Sequence, residues 1–322
     1  MAFKSYPLQF RPILKERIWG GTKLKTVLNK KITSDITGES WELSTVKGDE
    51  SIVSVGAYEG KSLQELIDKY PDQILGRRVH ERFGLEFPLL FKFLDAREDL
   101  SIQVHPSDEL AKKRHNSFGK TEMWYVMQAD SNSRIISGFR HDSNREEFLS
   151  HVNANTVVDI LGTEAAKAGD VYFLESGTVH AIGAGVLIAE IQQTSDVTYR
   201  IYDFDRVDAQ GNKRELHIDL SLDAINYAAS QAKKPHDSQA NKANVLVDCP
   251  YFTTNLIPLK GDYVPALPKD TFVVYMCASG EFTISNLHAD TTFKQGDTVL
   301  LPADYSDFRI EGKGELLEVY IS

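Results

Sequence analysis

The chain has 322 residues, 42% of them hydrophobic and 25% charged, which is enough for two domains and a sizeable core of ordinary globular character. A formal net charge of −10 argues against nucleic acid or an anionic membrane as partners, and any basic contact to an anionic substrate must be local. No apolar run approaches the ~20 residues of a membrane span, the first residues lack a signal-peptide core, and Cys249 and Cys277 sit among apolar neighbours as free thiols. The expected setting is the cytoplasm, with the chain a monomer or weak homodimer.

In chain order, the first sixty residues hold short apolar runs punctuated by glycine. Trp19-Gly-Gly21, Gly38-Glu-Ser-Trp-Glu-Leu-Ser44 and Ser51-Ile-Val-Ser-Val55 read as strands joined by tight turns. A helix is expected over Ser62–Tyr70, with Ser62 and Glu65 as a capping box and Leu63, Leu66, Ile67 and Tyr70 on one face. Phe87–Leu94 is an apolar strand interrupted by Lys92, which either snorkels to the rim or points into a polar pocket. Leu100-Ser-Ile-Gln-Val-His105 alternates strictly, so Gln103 and His105 share a face before Pro106 ends the strand. Glu122–Met127 starts another strand, and 141–164 reads as helical, with Ser143 and Glu146 as a second capping box. Strands resume at Gly169, Gly185–Gln193 and Val197–Tyr202, and a helix at Leu220–Tyr227 closes this half. Glu190 and Arg200 lie on successive strands, which suits either a structural ion pair or an acid–base group with an oxyanion-stabilising arginine. The polar stretch Ser230–Lys242 lacks periodicity and reads as a linker, after which short strands return.

The stretch Gly169-Asp-Val-Tyr-Phe-Leu-Glu-Ser-Gly-Thr-Val-His180 frames an apolar strand with two turns and delivers a histidine onto the next strand. It resembles the second motif of the cupin family, G-x5-P-x-G-x2-H, with Glu175 in the proline position. Cupins are jelly-roll barrels that hold a metal inside, and the resemblance directs attention upstream, where the first motif supplies the other ligands. Gln103, His105, Glu122 and His180 then form a mixed nitrogen and oxygen set suited to Zn²⁺ or a similar divalent ion, one per chain.

A second, degenerate copy follows. Gly296-Asp-Thr-Val-Leu-Leu-Pro302 echoes Gly169–Glu175, and Val274-Tyr-Met276 echoes Trp124-Tyr-Val126. Asp307 then replaces His180 and Phe272 replaces Glu122, so this copy is expected to pack rather than bind metal. The fold expectation is mainly β: two cupin-like jelly-roll barrels with α-helical insertions in the first. Residues 1–229 form the metal-binding domain with insertions at about 61–70, 107–115, 141–164 and 219–228; 230–243 is the linker and 244–322 the metal-free domain. Phosphate loops, nucleophile elbows and dinucleotide fingerprints are absent from the sequence. His115, His141, His151, His217, His236 and His288 lie in polar stretches and read as surface residues.

Beyond the cupin pattern, Phe91-Lys-Phe-Leu94, Leu100–Pro106, Gly119-Lys-Thr-Glu-Met-Trp-Tyr125 and Ser195-Asp-Val-Thr-Tyr-Arg200 resemble the type I mannose-6-phosphate isomerase family. Gly38–Ser44 and Tyr202-Asp-Phe-Asp-Arg206 extend the likeness over most of the chain, nearest to the short bacterial form. The resemblance implies zinc ligands at Gln103, His105, Glu122 and His180, an active-site arginine at Arg200, proton handling at Glu190 and Lys120, and a pocket lysine at Lys92. One departure is visible: the longer members carry Tyr-x-Asp-x-Asn-His-Lys-Pro-Glu, and here Gly119 precedes the lysine where they have histidine. The implied reaction interconverts mannose 6-phosphate and fructose 6-phosphate through a cis-enediol(ate), with the phosphate held by side chains such as Lys92, Lys120 or Arg200, or by backbone N–H groups. Rival readings are a metal-dependent sugar-binding protein, an Fe- or Mn-dependent cupin oxygenase using His105, His180 and Glu122, and a glucose-6-phosphate type isomerase built on a cupin.

Overall fold

The computed structural model describes residues 3–208, 210–286 and 290–322, and His288 lies outside them. The chain is mainly β, as its alternating runs require. Two antiparallel sheets face one another in the first domain. The larger has seven strands in the order Ile13–Gly21, Thr37–Leu43, Leu89–Ala96, Val186–Gln193, Glu122–Ala129, Val171–Leu174 and Lys233–Lys234. The smaller has five, in the order Tyr199–Tyr202, Ile102–Val104, His180–Ile182, Arg134–Phe139 and Leu161–Ala165. The second domain is one six-stranded sheet built around the long strands Thr253–Tyr263, Val273–Ser285 and Arg309–Tyr320. No helix among the described residues is long and apolar enough to cross a membrane.

The helical segments follow their caps. Leu63–Lys69 is a helix with the expected Ser62–Glu65 capping box, and Asp108–His115 is capped by Ser107. Between 141 and 164 only Arg145–Asn153 is α-helical. Its cap is Asn144, whose Oδ1 accepts the Glu147 N–H at 2.9 Å, while Ser143 donates its hydroxyl to the Glu147 carboxylate. Val157–Ile160 is a single 3₁₀ turn, and Leu161–Ala165 is a strand at the edge of the smaller sheet, because Thr163 and Glu164 pair with Ile136 and Ile135. The last helix of this half covers only Ile218–Leu222. Within the stretch read as a linker, Lys233–Lys234 pairs with Val171–Tyr172 and Ala232 is buried, so this segment closes the edge of the larger sheet with lysines.

Two helices that the sequence reading did not anticipate, Pro71–Leu75 and Arg77–Phe83, bring Ile74, Leu75 and Val79 into a core that also contains Phe87, Phe272, Val274 and Val319. Phe87 and Phe272 meet at 4.7 Å between ring centroids. Both halves of the chain therefore share one apolar core. The ladder also refines the internal repeat. Leu174 pairs with Glu122, and its glycine-aligned counterpart Leu301 pairs with Val273, so the second-copy equivalent of Glu122 is Val273 rather than Phe272. Val273 faces an apolar interior with Ile257, Tyr275 and Phe282, while Asp307 is exposed on a left-handed turn.

Because Phe272 belongs to the shared core, Phe272→Ala should lower the unfolding free energy by about 3–5 kcal/mol. Denaturant unfolding followed by tryptophan fluorescence and by far-UV circular dichroism should shift together; separate transitions for the two halves would contradict a common core.

Candidate metal centre and active site

Two rows of cross-strand partners face one another across a cavity of about 520 Å³. On the larger sheet, Trp41 pairs with Lys92, Lys92 with Glu190, and Glu190 with Trp124, placing four functional side chains side by side. On the smaller sheet, Arg200 pairs with Gln103, Gln103 with His180, and His180 with Ser137. The turn at Ser176-Gly177 positions His180 as its sequence suggests: Gly177 adopts φ +91° and donates its N–H to the His105 carbonyl at 2.9 Å. That bond ties two of the candidate ligand residues together through backbone.

Glu122 Oε1 lies 3.3 Å from His180 Nε2, and Glu122 Oε2 lies 3.5 Å from His105 Nε2. His105 Nδ1 donates to the Val197 carbonyl at 3.0 Å and His180 Nδ1 to the Thr178 carbonyl at 2.8 Å, which leaves both Nε2 lone pairs aimed at the carboxylate. Burial, and then the nearby Lys120 charge, hold the His105 imidazole neutral. The His180 ring is driven down to about 4 chiefly by burial. Neutral imidazoles cannot donate from Nε2 in this tautomer, so His105 Nε2 and both Glu122 oxygens are buried without a hydrogen-bond partner. Burial and the neighbouring Glu190 push Glu122 up to about 8. A bound cation would relieve that penalty on the Glu122 charge, and the two imidazole nitrogens with the carboxylate are a donor set that fits a divalent metal. The Gln103 amide reaches 3.3 Å from His180 Nε2, and turning that amide about its axis presents oxygen in place of nitrogen. Among the described residues, this is where histidine and acidic ligand atoms cluster.

Lys92 points into the cavity rather than to the rim. Its ammonium lies 3.0 Å from Glu190 Oε1, donates to Gln192 Oε1 at 2.6 Å and sits 5.1 Å from the Trp41 ring centre. Burial opposes its charge, but Glu190 and then Glu39 outweigh that and raise its pKa. Glu190 is correspondingly held ionised: burial works against it, and Lys92 and Lys120 prevail. Its Oε2 accepts the Trp124 indole N–H at 2.9 Å, while Oε1 faces the Lys92 ammonium. The structural pair considered for Glu190 and Arg200 is not formed. Glu190 belongs to the larger sheet and Arg200 to the smaller, with no carboxylate within ion-pair distance of Arg200 among the described residues. Lys120 is buried and lies 3.6 Å from Glu122.

Several lining residues escaped the sequence reading. Glu39 accepts from Trp41 Nε1 at 2.6 Å and from Arg17 Nε at 2.7 Å; burial opposes its charge, but Lys92 and Arg17 hold it down to about 2. Alternation along Thr37–Leu43 places Glu39 and Trp41 on one face, a signal available in the sequence. Ser101 also lines the cavity, on the face it shares with Gln103 by the same alternation, whereas Arg17 and Arg214 line it without such a signal. Of the histidines read as surface residues, His115 and His141 are exposed, whereas His151, His217 and His236 are half-buried. His217 Nδ1 accepts the Arg200 backbone N–H at 3.0 Å.

Residues 8–139 match the family model of the phosphomannose isomerase type I catalytic domain, and residues 242–321 match that of the mannose-6-phosphate isomerase cupin domain. The chain is 37% identical over 315 residues to a mannose-6-phosphate isomerase of Bacillus subtilis, covering 97% of this chain and 98% of that one. It belongs to the type I phosphomannose isomerase family. A Streptococcus mutans mannose-6-phosphate isomerase is 35% identical over 317 residues, 97% of each chain. The crystal structure of a Bacillus subtilis mannose 6-phosphate isomerase superposes with a TM-score of 0.90 at 33% identity, covering 98% of this chain and 99% of that one. A phosphomannose isomerase variant from Salmonella typhimurium, 17% identical, shares the fold with a TM-score of 0.79 over 98% of this chain and 99% of that one.

Within this family, the departure at Gly119 has a steric cause. A Cβ at this position would lie 2.5 Å from the Asp108 backbone nitrogen, so a histidine cannot occupy this backbone. The Gly119 N–H instead donates to Asp108 Oδ1 at 2.8 Å; Gln193 Nε2 donates to the same oxygen at 2.9 Å and the Tyr251 hydroxyl to Oδ2 at 2.8 Å. Lys120 follows directly.

Lys92→Met should destabilise the fold by about 3–5 kcal/mol, since it leaves Glu190 and Glu39 buried around an uncharged side chain. Chemical denaturation at neutral pH measures it, and a cost below about 1 kcal/mol would show that the pair is solvated.

Proposed function

We infer that this chain is an aldose–ketose isomerase interconverting D-mannose 6-phosphate and D-fructose 6-phosphate in a metal-containing pocket. The observation that carries the reading is the convergence of His105, Glu122 and His180, with orphaned ligand atoms, beside the Lys92–Glu190 pair in one cavity. His105, Glu122, His180 and the Gln103 amide would hold one Zn²⁺. Bound there, the ion supplies Lewis-acid polarisation of the sugar's carbonyl edge.

The chain's own groups divide the remaining work. Isomerisation removes the proton from the carbon beside the carbonyl and returns it to its neighbour, passing through a cis-enediol(ate). The Glu190 carboxylate is ionised and lines the cavity, so it is the proton acceptor and carrier. Lys92 and the Trp124 indole fix the orientation of that carboxylate. Lys120 donates N–H bonds to the sugar's O1 and O2, and Arg200 adds positive charge from the facing sheet. Holding a sugar does not by itself need Glu190, Lys120 and Arg200 together around one cavity, which favours the enzyme.

Incubated anaerobically with mannose 6-phosphate, the metal-loaded protein should form fructose 6-phosphate; chelation should abolish the conversion and added Zn²⁺ restore it. A metal-loaded sample that leaves the sugar unchanged overturns the assignment, and oxygen consumption with the same sugar would mark an oxygenase instead. Glu190→Gln should lower kcat by ~10²–10⁴-fold while the bound metal, measured by elemental analysis, stays at the wild-type ratio. Near-normal turnover in this variant would remove Glu190 from proton transfer.

A further inference from the structure

The reacting carbons and the phosphate of a hexose 6-phosphate are separated by the length of the sugar, so one pocket must offer two different chemistries. Around the candidate metal ligands the cations serve the reacting end of the pocket. Lys92 serves Glu190 and Gln192, and Lys120 faces Glu122. Arg17 lines the cavity with its whole fork occupied, Nε and Nη2 on Glu39 and Nη1 on the Glu16 carbonyl. Two further arginines line the same cavity, and they differ. Arg200 donates from Nη1 to the Glu215 carbonyl at 2.9 Å, while its buried Nε has no partner. Arg214 lays one edge of its guanidinium along Asp203, Nε to Oδ2 at 2.7 Å and Nη2 to Oδ1 at 2.5 Å, and its Nη1 makes no hydrogen bond among the described residues.

Charge is unbalanced at this corner. Asp203 is the one carboxylate for Arg214 and Arg206, and Arg200 beside them has none among the described residues. Arg206 is fully engaged, with Nη2 on Asp203 Oδ1, Nε on the Asp203 carbonyl and Nη1 on the Asp99 carbonyl. Its role is to complete the seat of Asp203. Arg200 stands two strands from His180 in the smaller sheet, with Gln103 between them, so its backbone lies roughly 10 Å across the sheet from that of His180. A planar guanidinium with one edge pinned and another free is suited to bidentate capture of a phosphate dianion.

We propose that Arg214, oriented by Asp203, clamps the 6-phosphate of the substrate together with Arg200. The assignment rests on the isomerase reading for the identity of the phosphate's carrier, and adds Arg214 as a substrate-binding residue and Asp203 as a positioning residue. Asp203 touches no substrate; it presents the free edge of Arg214 to the cavity.

The experiment uses the full-length, metal-loaded protein with two probes, mannose 6-phosphate and inorganic phosphate. Arg214→Ala should raise KM for mannose 6-phosphate by ~10–100-fold with kcat within about threefold of wild type, the pattern of a lost charge-assisted contact made equally in ground and transition states. The rise in melting temperature that inorganic phosphate gives the wild type should be lost in the same variant. Arg214→Lys, which keeps the charge but cannot both grip Asp203 and present a fork, should fall between the two and serves where the alanine variant does not fold. Asp203→Asn should raise KM without lowering kcat, and the Asp203→Asn/Arg214→Ala double variant should be no worse than Arg214→Ala alone. A phosphate-induced shift that survives in folded Arg214→Ala or Arg214→Lys, with KM unchanged, overturns the proposal. A wild type that shows the phosphate shift but converts no sugar overturns the isomerase reading and leaves the anion site standing.

Discussion

A lysine ammonium in the middle of a seven-stranded sheet is the constraint on which the site depends. Lys92 is almost fully buried, and it stays charged because Glu190 and Glu39 flank it and the Trp41 face lies beneath it. The carboxylates depend on it in turn. Without that cation, desolvation would favour a protonated Glu190, which accepts no proton, and Glu39 would lose the charge that stands foremost against its burial. The strand register supplies the arrangement, since Trp41, Lys92, Glu190 and Trp124 are directly opposite one another across four neighbouring strands.

The facing sheet contributes a complementary kind of chemistry. Beside Arg200 its row carries the neutral Gln103 and His180, and the backbone carbonyls of Val197 and Thr178 fix which nitrogens of His105 and His180 are free. The larger sheet carries the Lys92–Glu190 pair, the smaller carries Gln103, His180 and Arg200, and Glu122 reaches across from the first position of its strand.

Much of this was legible in the sequence because strand alternation reports faces. Gln103 and His105 share a face in a strictly alternating run, and the turn before His180 is written in glycine and serine. What alternation does not report is which sheet a strand joins. Glu190 and Arg200 are ten residues apart, yet the connection between their strands passes from one sheet to the other, so proximity in sequence suggested a pair that space denies. Leu161–Ala165 was read as helix because a 3₁₀ turn and an edge strand together mimic helical spacing. Lys233–Lys234 was read as linker because a solvent-edge strand has no apolar face to betray it. Arg214 and Asp203 lie at opposite ends of an irregular excursion, and only its closure brings them together.

Asp108 gives the second half of the chain a part beyond packing. One of its oxygens is shared by the Gly119 amide and Gln193, just ahead of Lys120 and Glu122, and the other receives the hydroxyl of Tyr251 from the second half. The second half is therefore a buttress for the half that holds the cavity, and the two cannot be pulled apart and traded like beads on a string.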